Sequence, residues 1–383
     1  MKLFEPINVS SMELKNRIMF PPMVSKRAAG QTGFVTEDLI DLYVSIAKGG
    51  AGIVVLEFAS IWPPQMTLLG IHHDACIPGL KALVDAVHSQ SDAKIVIQVG
   101  DHLPGMVNIE EVPTEMFEAF TGSFMAAAGR AKLAGFDGIE IHGAHGYFLA
   151  ASLSHRNRRK DEYGKNLEGR MRLITQTIQG CKQVCGDDYP IGVRINADEF
   201  IVGGNTLHQT RRIAAKLAEL GVAYISLSVG GKNQDAWHVM DTVLCFPYPK
   251  PGPWDDAKGY SGHRCVPPNY MHDGTNVYLA EDIRKHVRKA GFDTPVITAG
   301  KIPTPKFANE ILENEQADMV AVCRAILCDH EWPNKAKERR AKDIVKCMYC
   351  NHCFDGARRG YYTACKRWKG WVDKRADMEV GIS

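Results

Sequence analysis

The sequence has no apolar stretch approaching the ~20 residues that a membrane-crossing helix needs, so no helical span is expected. Its first residues, MKLFEPINVS, lack the charged region and apolar core of a secretory leader, and a cytoplasmic location is the expectation. Charge of one sign is scarce. The 46 basic and 44 acidic side chains leave a net +2, which excludes a global pull toward nucleic acid or an anionic membrane surface. No G-x-G-x-x-G occurs, so a Rossmann dinucleotide site is not expected. There is no low-complexity tract and no repeat shorter than a strand-plus-helix unit.

What the chain does have is length, apolar residues and cysteine. Its 383 residues, 45% of them hydrophobic, suffice for a large buried core. Eleven cysteines without a leader point to a reducing compartment, where thiols serve metals or cores. Cys181 and Cys185, at i and i+4 on one helical pattern, read as core residues.

Short Val- and Ile-rich segments recur along the chain. They are Arg17–Pro21, Gly52–Glu57, Lys94–Val99, Gly138–His142, Ile191–Ile195, Ala223–Leu227, Pro295–Ala299 and Asp318–Val322, and they read as buried parallel strands. Helical patterns fill most gaps, most clearly Thr36–Lys48, Pro113–Leu133, Leu167–Val184, Thr206–Leu220, Val277–Ala290, Thr304–Leu312 and Arg324–Lys337. Eight strand–helix units predict an α/β fold, a (β/α)8 TIM barrel over residues 1–340, followed by a metal-binding segment over 341–383. A long Gly-, Pro- and aromatic-rich insertion, Val229–Thr275, reads as a lid or substrate wall over the C-terminal mouth of the barrel.

The metal reading rests on Cys347, Cys350, Cys353 and Cys365, spaced C-x2-C-x2-C-x11-C. A [4Fe–4S] cluster takes one soft ligand per iron, and this spacing lets one loop wrap three corners while the fourth arrives later. Structural zinc is the alternative, although it more often uses two separated knuckles or Cys/His pairs.

The segments LKNRIMFPPM, IVIQVGDH, GIEIHGAHGYFLAASLSHRNRRKDEYG, IGVRINADEF, VITAGKI and MVAVCRAIL fall at strand ends. Together with the cysteine run they resemble the old yellow enzyme family. The similarity is greatest to its iron–sulfur branch, which includes 2,4-dienoyl-CoA reductase, 2-enoate reductase and trimethylamine dehydrogenase. The resemblance spans nearly the whole chain and implies an FMN-binding barrel. By that resemblance Pro22, Met23 and Phe58 lie near the flavin ring and Gln98 reaches its pyrimidine edge. Arg194 sits beside the N1/C2 locus, where a cation raises the flavin potential. The FMN phosphate is expected at Gly300 and Lys301 after the seventh strand and at Cys323 and Arg324 after the eighth.

The same resemblance assigns the chemistry to His142, His145 and Tyr147. The two histidines hold the carbonyl oxygen of an activated alkene and stabilise the developing enolate. Tyr147 gives a proton to the α-carbon while hydride goes to the β-carbon. Val24 stands where trimethylamine dehydrogenase-like enzymes carry the cysteine that binds FMN covalently, and His142 where they carry Tyr. The cysteine spacing, by contrast, follows that amine dehydrogenase pattern. An ene-reductase acting on an enone, enoate or enoyl thioester is therefore expected. An amine or N-methyl dehydrogenase, or an electron-transfer subunit, is the alternative.

Relatives continue into a C-terminal FAD- or NAD(P)H-handling part, whereas this sequence ends at Ser383. The expectation is a separate electron-donor protein, a flavoprotein or ferredoxin-like carrier. It would dock near the cysteines and the basic, aromatic tail Lys366–Arg375 that includes Trp368 and Trp371. Direct reduction by NAD(P)H is the rival, and a homo-oligomer is left open.

Overall fold

A computed structural model describes residues 1–64, 67–101, 108–230, 264–358 and 360–370. Eight strands form its core: β1 Ile18–Phe20, β2 Ile53–Ser60, β3 Lys94–Gly100, β4 Gly138–Gly143, β5 Ile191–Asn196, β6 Tyr224–Ser228, β7 Val296–Ala299 and β8 Met319–Ala321. Nearly every strand residue is buried, because helices cover the outer face and side chains fill the inner one. Each strand pairs in parallel with the next, and β8 pairs with β1, so the sheet closes on itself. The chain is thus the (β/α)8 barrel that the alternating pattern predicts. A short antiparallel hairpin, Ile7–Val9 with Met12–Leu14, precedes β1.

Helices α1 Glu37–Lys48, α2 Ile77–Gln90 and α3 Thr114–Leu133 follow the first three strands. Then come α4 Phe148–Leu153, α5 Leu167–Cys185, α6 Leu207–Glu219, α7 Val277–Lys289 and α8 Pro305–Glu313. Their ends carry local signals. Thr36 caps α1, Asn166 caps α5, and Thr206 with Gln209 forms a reciprocal capping box on α6. Helix α3 docks through Phe117, Phe120 and Phe124, all fully buried, and the Phe120 and Phe124 ring centroids lie 4.8 Å apart. Removing one such ring typically costs about 3–5 kcal/mol.

Three departures from the sequence reading have physical causes. Strand β2 runs three residues past Glu57, to Ser60, through an irregularity in its pairing with β3. The single helix expected over Arg324–Lys337 is two, α9 Arg324–Cys328 and α10 Trp332–Lys337. Asp329 between them is extended, and its carboxylate accepts from Lys335 Nζ at 2.7 Å and the Val345 N–H at 2.8 Å. Pro333 then sits in the first turn of α10, where its missing N–H costs nothing. Helix α2 carries Pro78 and Gly79 in its first turn, which hide its start, and α4 has only six residues, too few for a periodicity to be read.

Of the insertion Val229–Thr275, residues 231–263 lie outside the described residues. Its end is ordered by Arg264, which stacks on Phe200 at 4.6 Å and donates to Thr275 Oγ1 at 3.1 Å. After α10 the chain returns across the barrel mouth and forms α11, His352–Arg358. Thr363 ties it down: its N–H donates to Ser25 O at 2.9 Å and its hydroxyl to Val24 O at 2.7 Å. Trp368 packs on the barrel, donating Nε1–H to Leu327 O at 2.8 Å and meeting His330 edge-on. Trp371 lies outside the described residues.

Candidate active site at the barrel mouth

Strand periodicity places the polar floor. Residues two apart share a face of a strand, so Gln98 and Gly100, Glu140 and His142, Arg194 and Asn196, and Ser226 and Ser228 line the barrel interior in pairs. Gln98 donates Nε2–H to Glu140 Oε1 at 2.7 Å, and Arg194 donates Nη1–H to Ser226 Oγ at 2.7 Å. Tyr224 fills the space beside them. Its ring lies so close to Gly192 that a Cβ there would fall 2.1 Å from Tyr224 Cζ. Burial raises the pKa of Glu140, and the charge of Arg194 and the Gln98 hydrogen bond partly offset it.

Above this floor stand the three residues expected to carry the chemistry. The chain turns sharply after β4, with His145 at φ 64° and Gly146 at φ 79°. That left-handed pair folds His145 back over His142, and their ring centroids lie 5.1 Å apart. Tyr147, half-buried as the residue preceding α4, lies 5.5 Å from His142 by the same measure. His145 Nε2 is 2.7 Å from Ser228 Oγ, and its N–H donates to Asn196 Oδ1 at 3.4 Å. Asp101 Oδ1 accepts from the Phe148 N–H at 3.3 Å, which anchors the start of α4. Phe58 closes one side, edge-on to His142 at 5.9 Å and stacked on Tyr147 at 6.1 Å. His142, His145, Tyr147, Phe58, Gln98 and Arg194 therefore converge, while Pro22 and Met23 are half-buried on the loop after β1.

The phosphate residues are arranged differently. Gly300, at φ 121°, lets the loop after β7 pass the Asn276 side chain, which a Cβ would meet at 2.6 Å. Lys301 Nζ donates to Asn269 O at 2.8 Å, and Arg324 Nη1 to Pro267 O at 2.8 Å and to Asn351 Oδ1. Both cations lie over the Tyr349 ring, at 5.5 and 4.7 Å. Both side chains are thus bonded to protein groups. Burial pushes the Cys323 thiol up to about 11.

Cys347, Cys350, Cys353 and Cys365 line one small cavity with Arg324 and Leu327. Burial raises the Cys347 thiol and pushes Cys353 up to about 12. Cys365 is lowered by a hydrogen bond from Cys328. Among the described residues, no three His, Cys, Asp or Glu side chains form a group that could hold a metal ion. A separate cavity of about 330 Å³ lies at the opposite end of the barrel, among Lys15, Lys48, Asp92 and Lys337, away from all of these groups.

Residues 2–121, 114–236 and 263–343 match the family described as NADH:flavin oxidoreductase / NADH oxidase. The chain belongs to this family. It is 37% identical over 376 residues to an NADH oxidase of Thermoanaerobacter brockii, covering 91% of this chain and 52% of that protein. It is 27% identical over 430 residues to a cinnamate reductase of Clostridium sporogenes, covering 98% of this chain and 60% of that one. A 2-naphthoyl-CoA reductase complex shares its fold, with TM-score 0.76 and 24% identity over 92% of this chain and 54% of that one. The chain spans little more than half the length of these proteins.

This flavin oxidoreductase barrel fits FMN on its own structure. The floor offers an amide and a guanidinium, Gln98 on β3 and Arg194 on β5, on either side of Glu140 on β4. Near Gly300, the buried Thr298 Oγ1 and Asn276 Oδ1 have no hydrogen-bond partner among the described residues. The four thiols are the donor type an iron–sulfur cluster takes, but the described residues do not gather three of them into a group that could hold a metal ion.

Sequence reasoning missed Glu140, Asn196, Ser226 and Ser228. Their signal was the period of two: Glu140 and Asn196 lie two residues from His142 and Arg194, Ser226 pairs with Arg194, and Ser228 follows two residues on from Ser226.

Proposed function

We propose that the chain is an FMN-dependent ene-reductase acting on an α,β-unsaturated carbonyl compound, with an aryl-conjugated enoate as the first substrate to try. The supporting observation is the convergence of His142, His145 and Tyr147 above the Gln98–Arg194 floor. The cinnamate reductase among its relatives supports the choice of substrate. FMN, bound through Gln98, Arg194, Pro22, Met23 and the loops at Gly300 and Cys323, supplies hydride chemistry at the β-carbon.

The protein's part follows from the geometry. His142 and His145 donate hydrogen bonds to the substrate carbonyl oxygen, whose charge grows during reduction. Ser228 and Asn196 fix the ring and backbone of His145, so little reorganisation accompanies that change. The Tyr147 hydroxyl gives its proton to the α-carbon and regains one from solvent. The buried ring of Phe58 keeps water from one side of the trio.

The four cysteines hold a [4Fe–4S] cluster in this reading, with NAD(P)H the ultimate electron source. A separate electron carrier approaches the exposed edge formed by Met348, Cys350, Lys366 and Arg367. Aerobic instability and about four irons per chain after anaerobic purification are expected. The test is anaerobic turnover of a cinnamate-type acid, followed as saturated product. No product with chemically supplied electrons and added FMN would reject the reading. Rapid flavin bleaching by NADPH alone would remove the separate carrier but leave the ene-reductase.

A further inference from the structure

Phe58 owes its place to a local break in the sheet. In the β2–β3 pairing Leu56 faces Ile97 and Ala59 faces Val99, so Glu57 and Phe58 together oppose Gln98 alone. Such a bulge turns two successive side chains away from simple alternation, a device common beside active sites. Glu57 goes outward, where its Oε2 accepts from the Ser25 N–H at 2.9 Å and its own N–H donates to Tyr43 Oη at 2.8 Å. Phe58 goes into the mouth.

The neighbouring strand is cut to receive it. A Cβ on Gly100 would lie 2.6 Å from Phe58 Cε2 and 3.0 Å from His142 Cβ. The Phe58 ring is 8% exposed, so it is packed rather than open to a ligand. Among the described residues its aromatic contacts are Tyr147, with planes 25° apart, and His142, with planes 80° apart. It touches both the expected proton donor and a histidine expected to bind the carbonyl, without itself carrying a proton to transfer.

From the bulge, the glycine seat and the paired contacts, we propose that Phe58 is a positioning residue that fixes the Tyr147 ring relative to His142. It thereby sets the distance between the proton donor and the oxygen-binding group. This rests on the ene-reductase reading for its catalytic consequence, but not for its structural content. Proton transfer is steep in distance, so a freed Tyr147 ring lowers the rate without changing the chemistry.

Two measurements on the full chain test it. In the first, tyrosine rings are isotopically labelled, and the Tyr147 signal is assigned as the one lost in Tyr147→Phe. Phe58→Leu is expected to shift and broaden that signal, and Phe58→Tyr to restore it close to its original position. In the second, kcat for reduction of a cinnamate-type acid falls about tenfold in Phe58→Leu and largely recovers in Phe58→Tyr. In a Tyr147→Phe background, Phe58→Leu costs no more than about twofold, because the residue acts through the lost hydroxyl. An unmoved Tyr147 signal, or equal losses in both backgrounds, overturns the proposal. A moved signal in a protein that reduces no activated alkene upholds the positioning and rejects the ene-reductase reading instead.

Discussion

The proposed catalytic trio and the cysteine segment sit at the same end of the barrel but are held in different ways. His142 is set by strand register, and His145 by a turn fixed to Asn196 and Ser228 on the next two strands. The cysteine segment has no strand among its described residues. It is fastened by side-chain and loop contacts, among them Thr363 to Val24 and Ser25, Arg324 to Asn351, and Trp368 to Leu327. The first region inherits the rigidity of the sheet, whereas the second can loosen while the barrel stays folded. The two meet at the loop after β1, where Ser25 bonds to Glu57 on one side and to Thr363 on the other.

Breaking the trio gives the largest expected effect. Tyr147→Phe should lower kcat for alkene reduction by about 10²–10⁴-fold with little change in melting temperature, read by steady-state kinetics and calorimetry. If the rate is unaffected, Tyr147 is not the acid.

The junction gives the next effect, and it depends on pH. Burial raises the Glu57 pKa to about 7, above its ordinary 4.5, although hydrogen bonds from Ser25 oppose the shift. The folded state therefore holds this proton more tightly than the unfolded state. The stability this confers is complete below pH 4.5 and is lost as pH rises through about 7. At about 1.4 kcal/mol per pKa unit, the loss is on the order of 3 kcal/mol. Glu57→Gln should flatten that slope in denaturant melts between pH 5 and pH 8. Glu199, buried and also raised to about 7, adds a parallel slope that this variant leaves in place.

The smallest effect sharpens the contrast. Thr363→Val removes the hydroxyl bond to Val24 O, worth about 1 kcal/mol. Hydrogen exchange should quicken over residues 345–368 and stay unchanged in β3 to β6. Uniform quickening would mean that the segment and the barrel unfold as one unit.

The sequence showed the barrel clearly because buried parallel strands leave runs such as IVIQV and IGVRI, and their periodicity survives without any partner in view. His142, His145 and Tyr147 were visible because a short motif follows a strand. The polar partners of His145 were not, because contacts across strands depend on register, which sequence alone does not display. Phe58 was placed near the site, but not its contacts, since a bulge is a relation between two strands. The break between α9 and α10 was hidden for a similar reason: Asp329 leaves the helix to bond Lys335 and Val345. The docking tail and the lid were read from composition, and part of each falls outside the described residues.

The most direct test of the account is turnover of a cinnamate-type acid in D2O, anaerobically, with FMN and chemically supplied electrons. The account predicts a saturated product with one deuterium at the α-carbon, from Tyr147, and one at the β-carbon, because the hydride of chemically reduced flavin is also drawn from solvent. That product forms at least about a hundredfold faster than with Tyr147→Phe. Equal rates for the two proteins, or no saturated product from either, would contradict it.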